Sequence, residues 1–417
     1  MMMGATMART VAELPQGSRI TDYISLGVLN KMIPRPAVDA ALKSTGRQST
    51  RQRDLPAHVV VYYVIALALY MQSSYREVLR CLLEGLQWLA DPSVGPKVAG
   101  KSGISQARTR LGFEPMQALH DAVIGPVGQP EEAGCGYRQW HLVSLDGSNL
   151  DVADERANAQ AFGRPGASRG SSAFPQIRFV SLVENGTHVL FGNRMAGYDV
   201  GELSLAKEVV TSLSQGMLCL ADRNFFGYAL WNQAHSTGAE LLWRVKKNLR
   251  LPCEKRLPDG SYLSRIYPSE KDRRQQTRGR RVRVIEYQLD GVRDAEPLYR
   301  LVTSILADTA APAPELAALY HERWEIETAL DELKTHLRGA RIILRSKTPD
   351  LVRQEFWGLM LAHFAIRSLM HEAARHAGED PDRLSYVHAV RVVRRKILTH
   401  GSIPPSAPSN LPPAGAP

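Results

Sequence analysis

The stretch best suited to chemistry lies in the last third of the sequence and reads Tyr320-His-Glu-Arg323-Trp-Glu-Ile-Glu327-Thr-Ala-Leu-Asp-Glu-Leu-Lys334. At about 100° per residue of α-helix, Tyr320, Arg323, Glu327 and Lys334 fall within a roughly 60° stripe, so they can face one object together. Leu319, Ile326, Leu330, Leu333 and Leu337 form the adjoining stripe, which puts the polar four where the helix meets a core, at the edge of a cleft. Two aspartates join them as candidates. Asp146 closes the apolar run His141 to Leu145, and Asp222 closes Met217 to Ala221. The end of a core strand holds a side chain rigidly and leaves room for a ligand. Each feature also has a plainer reading: an exposed helix with an Arg323–Glu327 pair, an Asp146-Gly147 turn, and Asp222 as the cap of the next helix. Cys81, Cys135, Cys219 and Cys253 are far apart and form no C-x-x-C pair. They read as packing thiols, and any metal must bind through oxygen.

Positioning such residues takes a mixed α/β core. From about Ile20 to Ala122 the apolar spacing is helical, with runs at Asp22 to Leu29, after Pro56, and Tyr75 to Leu89, and no strand signal interrupts it. Arg47, Arg51, Arg53, Lys97, Lys101, Arg108 and Arg110 in this segment suit a helical DNA-binding module or an ordinary charged surface. After the Gly-, Pro- and Glu-rich linker at 125–136 the pattern becomes short β-branched runs. Ile177 to Val183 and His188 to Phe191 flank Glu184-Asn185-Gly186, a hairpin signal. A helix near Leu203 to Leu213, the strand before Asp222, a helix near Tyr228 to His235 and a strand Leu241 to Val245 follow. Between Arg244 and Arg283 there are fourteen Lys or Arg against four Asp or Glu. Its strand-like pieces, such as Val282 to Leu289, and the Pro-Asp-Gly turn at Pro258 read as a β-rich basic insertion or as a solvated loop. Leu298 to Leu306 returns to the core, and a long helix runs from Pro312 or Pro314 to Gly339.

The whole chain carries 52 Lys and Arg against 42 Asp and Glu, a formal charge of +10, which favours an acidic partner, nucleic acid or an anionic membrane. The apolar runs Val59 to Met71 and Phe356 to Met370 are too short or too charged to span a bilayer and read as buried helices. Met1 to Arg9 lacks a signal peptide's apolar core, so a cytoplasmic location is expected. Residues 403–417 read as a disordered Pro-rich tail. The initiating residue is open among Met1, Met2, Met3 and Met7.

At these residues the sequence resembles the DDE transposases of the insertion sequence 4 family. Their signature of Tyr, two residues, Arg, three residues, Glu, six residues and Lys is met at Tyr320, Arg323, Glu327 and Lys334. Leu145-Asp146-Gly147-Ser148 is similar to the family's first acidic block, with Ser148 where Thr is frequent. Ala221-Asp222-Arg223-Asn224-Phe225-Phe226 is similar to the second, and the segment up to Ser105-Gln-Ala-Arg108-Thr-Arg110-Leu-Gly112 to its N-terminal domain. The resemblance implies an α/β fold with a ribonuclease-H-like mixed-sheet core, a β-rich insertion, and helical N- and C-terminal regions. The boundaries expected are 1–135 for a helical DNA-binding domain, 136–345 for the catalytic domain with its insertion at about 247–297, and 346–402 for a helical C-terminal region.

It also implies that Asp146, Asp222 and Glu327 hold two Mg²⁺ or Mn²⁺ ions, and that Tyr320, Arg323 and Lys334 contact transposon-end DNA. The family's base-stabilising aromatic cannot be aligned, and Tyr287 and Tyr299 are the guesses. Two such ions about 4 Å apart stabilise the attacking and leaving oxygens of an in-line displacement, and hard cations favour carboxylate oxygen. The expected partners are double-stranded DNA, as terminal inverted repeats and target, and a second copy of the chain. Further phosphate contacts are expected from the insertion and from Arg391, Arg394, Arg395 and Lys396, unless that cluster is a solvated helix face. The rival readings are a metal-dependent nuclease that cuts without joining and a DNA-binding regulator with a dead site.

Overall fold

Eleven of the thirteen residues of one N-terminal helix are buried, and this all-round burial explains the arrangement of the elements about it. The computed structural model describes residues 27–51, 55–84, 99–167, 170–171, 174–288, 296–339 and 342–396. The proposed start sites, Arg53, Lys97, residues 85–89 of the expected third helical run and the Pro-rich tail lie outside them. Six helices lead: α1 (Gly27–Met32), α2 (Arg35–Ser44), α3 (Ala57–Leu69), α4 (Tyr75–Glu84), α5 (Lys101–Leu111) and α6 (Glu114–Val123). The helix α3 is the buried one. With no polar face to offer water, it must be wrapped by others.

The sheet follows. Its strands are β1 (Gly136–Tyr137), β2 (Trp140–Asp151), β5 (Gln176–Glu184), β6 (Val189–Gly197), β7 (Met217–Ala221), β8 (Glu240–Arg244), β9 (Lys255–Arg256), β10 (Tyr262–Ile266), β11 (Arg280–Tyr287) and β12 (Tyr299–Thr303), while β3 (Gly166–Ala167) and β4 (Gly170–Ser171) pair apart from it. The order is β6-β5-β2-β7-β8-β12-β11-β10-β9. Within β6-β5-β2-β7-β8 only β5 opposes the rest, because β2–β7 and β7–β8 are parallel whereas β5 is antiparallel to both its neighbours. This is the mixed sheet expected of a ribonuclease-H-like core. The hairpin turns where expected, with Gly186 at φ 80°, a conformation a Cβ disfavours. The basic insertion is not a separate layer. Strands β9 to β12 extend the same sheet in antiparallel fashion from β8.

The remaining helices are α7 (Arg156–Phe162), α8 (Glu202–Val209), α9 (Tyr228–His235), α10 (Glu270–Gln275), α11 (Ala313–Leu319), α12 (Trp324–Asp331), α13 (Pro349–Ala377) and α14 (Tyr386–Lys396). One sheet face, with Val143, Leu145, Cys219, Ala221, Leu241 and Trp243, packs on Leu205 and Val209 of α8 and Leu230 and Trp231 of α9. The alternate residues Leu142, Leu218, Leu220 and Leu242 pack on Leu316 and Tyr320. A third core joins α3, α12 and α13 to Phe179 and Ile177 of β5, so the N-terminal and C-terminal helices share one packed interior. Gly358 of α13 makes that approach possible, since a Cβ there would stand 2.8 Å from the Val64 carbonyl oxygen. The length of α13 ends at Gly378 in the left-handed region.

The expected long helix is present but changes pitch. It runs through α11, a 3₁₀ turn at Tyr320–Arg323, α12 and a π-helical turn at Glu332–Leu337. Cys135 and Cys219 are buried as expected of packing thiols, but Cys253 is exposed. No helix among the described residues is long and apolar enough to cross a membrane.

Candidate active site between the sheet and the signature helix

Register places the acids. Leu145 pairs with Ala221, and Ala221 with Trp243, so the next residues, Asp146, Asp222 and Arg244, stand level on three neighbouring strands. Side chains alternate along a strand, and Leu142, Leu220 and Leu242 already face the α11 side. Asp146, Asp222 and Arg244 therefore project toward the helix that carries Glu327.

That helix is tied to the sheet by three of the four signature side chains, with the fourth, Glu327, bonded to Arg323. Tyr320 is buried, and its hydroxyl donates to the Ala221 carbonyl at 3.3 Å, fixing the 3₁₀ turn above the strand that leads to Asp222. Arg323 donates from Nη1 to Asp146 Oδ2 at 3.4 Å and from Nη2 to Glu327 Oε1 at 2.9 Å. Its guanidinium thus joins one acid of β2 to one of α12. Lys334 donates from Nζ to Ser148 Oγ at 2.9 Å, so the Ser148 hydroxyl has a partner in the signature itself. Asp222 directly follows β7 as expected, but β2 runs on to Asp151, so Asp146 does not close its strand and stands midway along it. Tyr320, turned inward, meets the end of β7, while Arg323 and Lys334 meet the middle of β2.

The donors suit a hard cation. Burial pushes the Asp146 carboxyl up to about 6; the Gly147 N–H and Arg323 oppose this, while Glu202 and Glu327 add to it. A carboxylate crowded by other carboxylates and short of solvent favours a nearby positive charge. Arg323 already supplies one there, and every donor offered is oxygen. Glu202, at the start of α8, is a fourth acid close by: a Cβ on Gly147 would stand 3.3 Å from its carboxyl. No sequence signal marks it, because its approach depends on how α8 packs on the sheet. Trp324 follows Arg323 and is 62% exposed. Its place just outside the polar stripe was readable from the same helical angles.

Among the described residues, the set of three metal-competent side chains whose ligand atoms all lie within 4.8 Å of one another is His188, Glu325 and Asp382, and not Asp146, Asp222 and Glu327. Arg367 presses on His188 Nδ1, and Glu325 already accepts from the Gly186 N–H. Both places thus hold a guanidinium among their donors, Arg367 at the His188 ring and Arg323 between Asp146 and Glu327.

Some basic residues have other work. Arg283 is fully buried, pairing with Asp259 and donating to the Ala311 carbonyl. Arg265 pairs with Glu254 and Arg278 with Asp272. Lys246, Lys255, Arg256, Lys271, Arg280 and Arg281 remain exposed. Arg394 donates to the Leu69 carbonyl and so braces α14 on α3, while Arg391 is exposed. Tyr287 and Tyr299 stack on each other with centroids 5.3 Å apart.

A mixed sheet with Asp146 midway along β2 and Asp222 just past the end of β7, faced by a third acid on a helix, has the layout of an α/β enzyme of the carboxylate-centred kind. Comparison with known families narrows it: the model for a transposase DDE domain matches residues 141–365, and the model for the insertion element 4 transposase N-terminal region matches residues 23–121. The chain belongs to the insertion sequence 4 family of DDE transposases, and it is an enzyme of DNA transposition. It is 27% identical over 370 residues to the transposase InsG for insertion sequence element IS4 of Escherichia coli K12, covering 87% of this chain and 80% of that one. It is 22% identical to the putative transposase InsZ of the same organism over 51% of this chain and 68% of the relative. A cryo-electron microscopy structure of the piggyBac transposase synaptic complex with hairpin DNA matches 89% of this chain and 79% of its own at a TM-score of 0.46 and 11% identity.

Proposed function

We propose that Asp146, Asp222 and Glu327 are the metal-holding carboxylates with which this transposase cuts and joins DNA at the ends of its insertion sequence. The observation that carries the reading is the Arg323 guanidinium joined to both Asp146 and Glu327, with Asp222 level with Asp146 on the next strand. Two Mg²⁺ or Mn²⁺ ions, when bound, would supply charge stabilisation at the attacking and leaving oxygens. Arg323 can then grip a phosphate bidentately, whereas Lys334 offers a point charge beside Ser148. Tyr320 serves end DNA by setting the turn that presents Arg323. We assign residues 1–135 to DNA binding, 136–345 with the insertion at about 247–297 to catalysis, and 346–402 to a helical brace. The partners are double-stranded terminal repeats and target DNA, with two copies of the chain pairing two ends. The site of action is the cytoplasm, at the nucleoid.

The test is a strand-transfer assay on a duplex carrying the inverted repeat that brackets the gene. With Mg²⁺ or Mn²⁺, the full chain should cut the end and attach its labelled 3′ terminus to target DNA. Asp146→Asn, Asp222→Asn and Glu327→Gln should each abolish cutting and still bind the duplex. Cutting retained in any one of them overturns the assignment, and cutting without joining favours a nuclease.

A further inference from the structure

A cluster of four charged side chains lies beside the proposed centre. The Glu296 carboxylate accepts from Arg223 Nη1 at 2.8 Å and from Arg244 Nη2 at 2.7 Å, with Lys247 Nζ at 3.5 Å. Three cations thus surround a single anion. Their origin is informative: Arg223 directly follows Asp222, and Arg244 stands level with Asp222 on the adjoining strand, one residue beyond the Ala221–Trp243 pair. Neighbouring strands lie about 4.8 Å apart, so this cradle begins one strand over from the second acid of the proposed centre. A DNA strand crossing Asp146 and Asp222 would carry its next phosphate in that direction.

Arg244 has a second hold besides Glu296. The Arg244 guanidinium lies over the Tyr299 ring, 4.7 Å from its centroid, and Tyr299 stacks on Tyr287. A stacked aromatic pair thus supports the Arg244 fork by its ring face, independently of the Glu296 carboxylate. Arg223 and Lys247 are 42% and 59% exposed, open to a chain arriving from solvent. Guanidinium forks accept carboxylate and phosphate with the same geometry.

We propose that Arg223, Arg244 and Lys247 form the seat of a DNA backbone phosphate next to the reacting one, and that Glu296 is its internal stand-in, filling the seat in the DNA-free protein and yielding to the incoming strand. This rests on the reading of Asp146, Asp222 and Glu327 as the reacting centre. The contact is a restraint: it keeps the three cations from binding arbitrary polyanions tightly, because any ligand must first displace a paired carboxylate.

The experiment measures binding of the full chain to a fluorescein-labelled duplex carrying the bracketing inverted repeat, by anisotropy across a salt series. Glu296→Gln should tighten binding about tenfold at low salt, the scale of one charge-assisted contact, and steepen the dependence of log affinity on log salt by about one. Glu254→Gln, which frees one arginine elsewhere in the insertion, should change affinity less. Adding Glu296→Gln to a chain already carrying Arg223→Gln, Arg244→Gln and Lys247→Gln should restore nothing. Unchanged or weaker binding by Glu296→Gln overturns the proposal, as does an equal gain in the neutralised background. Should the triply substituted chain not fold, the salt slope of Glu296→Gln against Glu254→Gln still decides. Persistent cutting by Asp222→Asn would sink the catalytic reading alone, and a flat Glu296→Gln response beside a dead Asp222→Asn would sink this inference alone.

Discussion

Arg323 is the residue on which the proposed site turns, since it touches an acid of the sheet and an acid of the helix at once. A lysine keeps the charge but cannot reach two carboxylates with one planar fork. Arg323→Lys should therefore cost about tenfold or more in end cleavage at unchanged thermal stability, measured by gel assay and melting; wild-type cleavage would show that charge alone suffices. Its neighbour Trp324 places an exposed indole beside the site. An aromatic face contributes about 1–3 kcal/mol per stacked base, so Trp324→Ala should weaken binding to unpaired or frayed end DNA by about tenfold and leave the melting temperature alone. Equal affinity for both proteins would mean the ring meets no base. The four signature positions were legible in the sequence because their spacing recurs along one helical run, even though its 3₁₀ and π turns shift their angles. Arg244 and Glu296 were not, because their meeting depends on strand order, and Arg283 was counted among surface charges although it is buried.

At the scale of the element, the segment 313–337 owes its geometry to contacts made at its turns. Glu332 opens the π-helical turn and is buried against Arg367 of α13, with His188 and His363 3.5 and 3.8 Å away. The π turn alters the angle between Glu327 and Lys334 that a continuous α-helix would give, and Lys334 reaches Ser148 from it. Sequence periodicity averages over such changes, which is why one uniform helix was expected. Burial alone would raise the Glu332 carboxyl, but His188, His363 and Arg367 outweigh it and hold the group well below the ordinary carboxylate range. An acid depressed in the folded state adds stability that is present above its ordinary value near 4.5 and is lost as pH falls below it. Arg367→Met should leave that charge with only the two histidines and cost about 3 kcal/mol near neutral pH, with the loss shrinking as pH drops below that value. A deficit independent of pH would place the damage in packing instead.

For the whole molecule, the basic insertion prolongs the catalytic sheet, and the N-terminal helices share their interior with α13. The helical character of both ends was readable from periodicity, but their common core was not, since it joins segments far apart in the chain. Gly358→Ala tests that union. Its Cβ would press on the Val64 backbone, and overpacking there should cost about 1–3 kcal/mol by denaturant unfolding; unaltered stability would mean α3 and α13 separate easily. The proposed meeting of Asp146, Asp222 and Glu327 is likewise a property of the whole chain, because the first two come from neighbouring strands and the third from a helix well beyond them in sequence. The most direct measurement is Mn²⁺ binding followed by electron paramagnetic resonance on the full chain with its end duplex. Asp146→Asn, Asp222→Asn and Glu327→Gln should each weaken binding by about tenfold or more, while His188→Asn should bind as wild type does. Undiminished Mn²⁺ binding in all three, or its loss in His188→Asn alone, would contradict a metal centre at Asp146, Asp222 and Glu327.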